Sequence, residues 1–137
     1  MSGISKRFID AGYSIPKYLL PVGEKTIISH VVDMFPGKNE FTFICNEDHL
    51  VRQDLDLKNY LRKLVPNCKV FSIKPHKMGP VYALYKIIES IKDEEPVIIN
   101  YCDFSCYWDF DEFCNFVQDN CCDGAIPAYR GFHPHNY

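Results

Sequence analysis

Three polar segments hold the residue types from which phosphate chemistry could be assembled. The first runs through SGISKRF at 2–8 and IPKYLLPV at 15–22. Gly3 permits a tight turn and a close backbone approach to an anion. Ser2 and Ser5 offer hydroxyl donors. Lys6, Arg7 and Lys17 supply positive charge suited to a triphosphate. Taken alone, one glycine among basic residues equally describes a solvated loop. The second segment is KPHKMGPVYAL at 74–84. Pro80 suits the first turn of a helix, where its missing N–H is not needed. Gly79 lets the backbone pass close to a flat ligand such as a base. His76 by itself describes a surface histidine as well as a catalyst. The third segment is NYCDFSCYWDF at 100–110. Asp103 follows an apolar run, where a carboxylate is costly unless paired or bound to a cation. Magnesium held by one or two carboxylates and substrate phosphates is one such arrangement; capping of the next turn is the other. Asp109-Phe110-Asp111 also forms a D-x-D triplet, but its place at a helix start gives it N-capping and dipole pairing instead.

The elements that must position these loops follow from periodicity. Thr26 can cap a helix whose apolar face is Ile27, Ile28, Val31, Val32 and Phe35, and Pro36-Gly37 stops it. FTFIC at 41–45 reads as a strand. Leu55, Leu57, Tyr60, Leu61 and Leu64 give a second helix, ended before Pro66. KVFSI at 69–73 reads as a strand, and Val81, Leu84, Tyr85, Ile87, Ile88 and Ile91 follow at helical spacing. VIINY at 97–101 has the continuous apolar character of a buried parallel strand. Residues 109–119 form a fourth helix, and GAIPA at 124–128 opens a last strand. Residues 2–23 read as irregular. The alternation predicts an α/β layered fold with a mostly parallel sheet. In such sheets ligands sit outside the carboxyl ends of the strands.

Bulk properties narrow the function classes. A chain of 137 residues, 47% hydrophobic, suits one domain with a packed core. The formal net charge of -3 does not suggest a nucleic-acid coat, and no basic stripe is present. No stretch of about 20 apolar residues predicts a membrane span. The N-terminus has no long apolar region after Lys6 and Arg7, so a secretory signal is not expected and a cytoplasmic location is. Seven cysteines, with no C-x-x-C pair, read as reduced, partly buried thiols. Zinc on Cys102, Cys106 and a histidine lacks a second ligand pair at metal-site spacing.

With these residues in view, the chain resembles the sugar-phosphate nucleotidyltransferase family. That family opens with a strand, a glycine-rich turn, an Arg-Phe or Arg-Leu, and a Pro-Lys some ten residues on. Here the matching residues are Gly3 to Phe8 and then Pro16-Lys17. The family's short turn facing the base resembles Gly79-Pro80-Val81-Tyr82-Ala83, and its metal aspartate matches Asp103. The match spans residues 1 to about 128 and keeps the order of all three elements. The resemblance implies a three-layer Rossmann-like nucleotide-diphospho-sugar transferase fold. It implies transfer of a nucleoside monophosphate from an NTP to a sugar phosphate or similar phosphorylated acceptor. Pyrophosphate would leave, and the product would serve cell-surface polysaccharide precursors. Arg7 would hold the departing β,γ-phosphates, and Lys17 the α-phosphate or acceptor phosphate. Ser2, Gly3, Ser5, Lys6, Gly79 and Pro80 would line the nucleotide, and Asp103 would hold Mg2+.

Departures accompany the match. Ser5 stands where the turn's second glycine is usual, Lys6 where a small hydroxyl residue is usual, and Cys102 where a glycine commonly precedes the metal aspartate. Two alternatives follow: a non-catalytic nucleotide-binding module derived from the family, and a GT-A-like glycosyltransferase. The Arg7…Pro16-Lys17 pattern implies a free triphosphate and argues against the second. The chain opens in a glycine-containing loop and stops on HPHNY, so residues 1–137 read as a partial domain truncated at both ends, without the first strand and the C-terminal acceptor portion. Unpaired strand edges would then favour self-association. The 137-residue chain alone is expected to show little or no pyrophosphate release with NTP and acceptor; robust turnover in that assay would overturn the truncated reading.

Overall fold

Thr26 begins the first substantial helix because its side chain satisfies a backbone donor that the helix cannot. Its Oγ1 accepts from the Ser29 N–H at 3.3 Å, capping α2 (Ile27–Asp33). The same oxygen lies 2.7 Å from the Tyr60 hydroxyl, and Ser29 Oγ lies 3.1 Å from it, so the cap is tied to a distant helix. The computed structural model describes residues 1, 3, 6–37, 40–92, 95–128 and 131, with Lys6 described in its backbone only. These divide into two units, Met1–Cys106 and Tyr107–Tyr137.

In the first unit, the segment that reads as irregular contains structure. A short helix α1 (Lys6–Asp10) is followed by a 3-10 turn at Lys17–Leu19. A hairpin of β1 (Pro21–Val22) and β2 (Lys25–Thr26) comes next. Gly23 takes φ +63° at the first position of its two-residue turn, the backbone that glycine accepts most readily. Periodicity cannot see elements this short. Beyond α2 the chain forms β3 (Thr42–Asn46), α3 (Glu47–Leu50), α4 (Leu57–Leu64), β4 (Lys69–Ile73) and α5 (Pro80–Tyr85). A 3-10 turn at Ile88–Ser90 follows, so the helical stretch expected up to Ile91 breaks after its second turn.

Strands β3 and β4 pair in parallel with Thr42 opposite Lys69 and Asn46 opposite Ile73. Parallel neighbours need a long crossover, and α3 and α4 provide it. The core lies on this unit: Tyr18, Ile28, Val31, Phe43, Cys45, Leu57 and Leu61 are all buried, and Phe35, Phe41, Tyr60 and Leu64 pack around them. Every apolar residue expected to face the core from the 41–45 strand and the Leu57/Leu61 helix stripe that is buried here does so at strand or helix spacing.

Two expected strands do not form. Residues 97–101 run extended but join no ladder, and Val97, Ile98 and Ile99 are exposed at 51%, 47% and 65%. An apolar run signals a preference for burial but does not supply the neighbouring strand edge that a ladder requires. Among the described residues the sheets are β1–β2 and β3–β4, and neither pairs with 97–101. GAIPA at 124–128 is likewise unpaired, with Ile126 almost fully exposed. The described residues therefore form one parallel β–α–β unit and a hairpin, not a three-layer sheet.

The second unit is built on α6 (Phe110–Asp119). Asp109 caps it, accepting from the Glu112 N–H at 2.8 Å, which is the capping role expected for the D-x-D triplet. Trp108 packs against Phe110 and Phe113 with ring centres 5.7 and 5.0 Å away. The helix ends where Cys121 takes φ +48° and the Cys122 N–H returns to the Val117 carbonyl at 3.1 Å.

Leu61 is fully buried at the centre of the core. Leu61→Ala is expected to lower unfolding free energy by about 2–5 kcal/mol, the usual cost of such a cavity; the shift of the urea midpoint measures it.

Candidate functional site

The site begins at Tyr18. Pro16 sets the start of the 3-10 turn, and the Leu19 and Leu20 N–H groups close it on the Pro16 and Lys17 carbonyls at 2.9 and 3.1 Å. Tyr18 is 1% exposed, so this turn is nailed into the core by one ring. Its hydroxyl lies 3.0 Å from His49 Nδ1, and the rings sit 5.9 Å apart. Burial above all, with the Cys45 and Cys102 thiols adding to it, pushes the Tyr18 phenol well up from its ordinary range. Tyr18 therefore keeps its proton and shares a hydrogen bond with His49. A second tether holds the loop before the turn: the Arg52 guanidinium donates to the Ser14 carbonyl at 2.8 Å while gripping Asp54 at 3.1 and 2.5 Å. With Tyr18 pinned inward, its neighbour Lys17 is held at the surface, about a third exposed.

Lys17 Nζ donates directly to Asp103 Oδ2, joining two residues 86 positions apart in the chain. The cost of a partly covered carboxylate is thus met by an ammonium. Beside it, burial pushes the Cys102 thiol up, Asp103 adds to the shift, and the Met1 ammonium opposes it. The Met1 carbonyl accepts from the Asn46 N–H at 3.3 Å, at the carboxyl end of β3. Asn46 is opposite Ile73 in the parallel register, so β3 and β4 deliver their following loops to one edge. The β4 loop carries Gly79, with φ +83° and ψ 174°, a backbone that a side chain would strain. Pro80 occupies the first turn of α5, as its sequence position suggests.

Of the residues expected to bind phosphate or metal, the structure brings Lys17 and Asp103 together. Arg7 lies exposed on α1, and Gly3 is exposed with open space where a Cβ would stand. Among the described residues no hydrogen bond or ion pair joins Arg7 or the Gly79–Pro80 turn to the Lys17–Asp103 pair. Ser2, Ser5 and the Lys6 side chain lie outside the described residues. Sequence reasoning missed the Tyr18–His49 anchor. Its signal was available: Tyr-Leu-Leu directly after Pro16-Lys17 is too apolar for a free loop.

Magnesium prefers hard oxygen ligands and binds through few carboxylates when substrate phosphates complete its shell. Asp103 offers one such carboxylate. No group of three His, Cys, Asp or Glu side chains among the described residues forms a metal cage. The donor set fits an ion that arrives with a triphosphate. All seven cysteines are free thiols. No helix among the described residues is long and apolar enough to cross a membrane.

A parallel β–α–β unit with a lysine–aspartate pair at the carboxyl edge of its strands is an arrangement suited to nucleotide phosphates. The chain matches the MobA-like NTP transferase domain over residues 1–137, and it belongs to that family. Its general reaction class is therefore nucleotidyl transfer. No curated protein and no solved structure matches the chain.

His49 yields a pH dependence. Burial foremost, then the Arg52 charge, lowers its pKa below the ordinary 6.5, and Asp48 partly opposes this. The unfolded chain then binds the proton more readily than the folded one, so stability is complete above about pH 6.5 and falls as pH drops below it. The urea midpoint is expected to decrease from pH 7.5 to pH 5, and His49→Asn to flatten that slope. An unchanged slope in the variant would remove His49 as its cause.

Proposed function

We propose that this protein transfers a nucleoside monophosphate from an NTP to a phosphorylated small molecule, releasing pyrophosphate, with Lys17, Arg7 and Asp103 as the working side chains. The observation that carries the reading is the Lys17–Asp103 contact, which unites the two charges such a reaction needs across 86 residues of sequence. In the resting protein each side chain neutralises the other. When a triphosphate enters, Lys17 leaves the carboxylate for the α-phosphate or the acceptor phosphate, where it offsets charge that builds as the acceptor oxygen attacks phosphorus. Arg7, without an ion-pair partner among the described residues, clamps the departing β,γ-phosphates by charge-assisted hydrogen bonds. Asp103, freed of the ammonium, is the residue that holds Mg2+. That ion supplies neutralisation of the phosphate charge. Gly3 and Gly79 admit close backbone approach, at the phosphates and the base respectively, and Ser2, Ser5, Lys6 and Pro80 complete the nucleotide contacts.

The acceptor belongs to the sugar phosphates or related phospho-alcohols, and the product to the precursors of cell-surface polysaccharide. The free cysteines suit a reducing, cytoplasmic setting. The fuller three-layer sheet belongs to the same reading.

Calorimetry with ATP, CTP, GTP and UTP, with and without Mg2+, tests this. One nucleotide is expected to bind selectively and more tightly with Mg2+. Asp103→Ala should abolish the metal dependence, and Lys17→Ala should weaken triphosphate binding about 10- to 100-fold, the value of a charged hydrogen bond. Tight binding that ignores both Mg2+ and Asp103 would instead support a non-catalytic nucleotide-binding module.

A further inference from the structure

His76 holds a polar atom that the rest of the molecule leaves unexplained. The Met78 N–H donates to its Nδ1 at 3.3 Å, so the ring proton resides on Nε2. That Nε2–H is buried and has no hydrogen-bond partner among the described residues. Buried donors are rarely left in this state, because an unmade bond costs the full desolvation of the group. The imidazole lines a cleft of about 340 Å3 at the carboxyl end of β4, together with Ser72, Lys74, Pro75, Tyr82 and Lys86. Two lysines therefore line a cleft whose lining contains no carboxylate. Neither Lys74 nor Lys86 is held in an ion pair among the described residues. Lys86 Nζ instead lies over the Tyr82 ring, 5.1 Å from its centre, and that ring packs on the imidazole at 4.8 Å and 66°.

We propose that this cleft binds a small molecule through a phosphate group, at a site separate from the Lys17–Asp103 pair. Lys74 and Lys86 are exposed, and between them lies a donor that is covered. A phosphate offers several strong acceptor oxygens and the negative charge that the lysines lack. Lys74 and Lys86 neutralise it, and the His76 Nε2–H donates to one oxygen once the Tyr82 ring turns aside. The cleft is larger than a phosphate ion, and Pro75 with the Tyr82 ring gives the remaining space apolar walls for an organic body. The site shares no residue with the proposed transfer machinery, although Gly79 and Pro80 lie on the same segment, and its ligand contacts are tested on their own side chains.

The test uses the full chain carrying Lys17→Ala and Arg7→Ala, which removes the cations proposed to hold phosphate at the other site, and follows the His76 ring and the Tyr82 and Lys86 amides by NMR. Inorganic phosphate, ribose 5-phosphate, ribose and chloride are titrated in turn. Saturable shifts with both phosphate probes, and none with ribose, are expected. Tighter binding of ribose 5-phosphate assigns a phosphomonoester as the ligand; equal binding assigns the free ion. Adding Lys74→Gln and Lys86→Gln should weaken binding at least about tenfold while leaving the remaining spectrum folded. His76→Phe should weaken it while preserving ring packing against Tyr82. Absence of saturable shifts, equal shifts with chloride, or undiminished binding in the lysine variants would overturn the proposal.

Discussion

The parallel pairing of β3 with β4 is the constraint on which the rest depends. A parallel ladder forces both strands to run the same way, and a register of Asn46 against Ile73 makes them end together. Two loops separated by a whole β–α–β unit are thereby delivered to a single edge. The Met1 carbonyl joins that edge through the Asn46 N–H, and the His76–Gly79 loop leaves from the other strand. An antiparallel pair would have sent these loops to opposite ends of the sheet. The chemistry at the edge is varied, but its location has one cause.

Stability has little to do with the Lys17–Asp103 pair. Both side chains are about a third exposed, and ion pairs in that setting contribute roughly 0–1 kcal/mol. Its importance is positional. Lys17 cannot wander, because Tyr18 beside it is locked in the core and bonded to His49. The loop before it is tied down by Arg52 through the Ser14 carbonyl. The anchoring is apolar and buried, while the charge it presents is accessible and weakly held. In the proposed transfer reaction, that division would let Lys17 exchange one anionic partner for another at little cost. A deeply buried pair would resist the exchange, because separating it would leave an uncompensated charge.

Much of the framework was legible in the sequence because its signals are local. The Leu57–Leu61 stripe, the strand expected at 41–45 and found one residue later, the 69–73 strand, the Thr26 and Asp109 caps and the Pro80 helix start all follow from spacing or from side-chain hydrogen bonding within one turn. The elements missed fall into two kinds. The Lys6–Asp10 helix, the Lys17–Leu19 turn and the 21–26 hairpin are too short for periodicity to register. The supposed strand at 97–101 is the opposite case: its apolar run is strong, but strand formation requires a neighbour's edge, which no local pattern encodes. The site divides in the same way. Lys17 and Asp103 could each be singled out by residue type and family resemblance, but their contact depends on tertiary placement. The apolar Tyr-Leu-Leu after Lys17 signalled that this turn is anchored but not that His49 is the partner, and the covered His76 nitrogen had no local signature that separated it from a surface histidine.

The exposed 97–101 run bears on how Asp103 is held. In an α/β sheet, an aspartate just past a strand is fixed by the ladder behind it. Here residues 97–101 have no ladder, and Asp103 is fixed from its own side: Lys17 grips the carboxylate, the Asn100 amide donates to the Phe104 carbonyl at 3.0 Å, and the Cys106 N–H approaches Met34 Sδ at 3.4 Å. The Asn100 bond closes the turn 100–104 on itself, and the Met34 contact ties its far end to the residue that ends α2. Asp103 thus depends on the Lys17 turn more than on the strand position that its sequence suggests. The ion pair is exposed and weak, so it turns the two charges toward each other while each turn is held by its own bonds. The two charges of the site are thus carried on separately anchored turns that meet at one exposed contact, which leaves each free to take a different partner without disturbing the core.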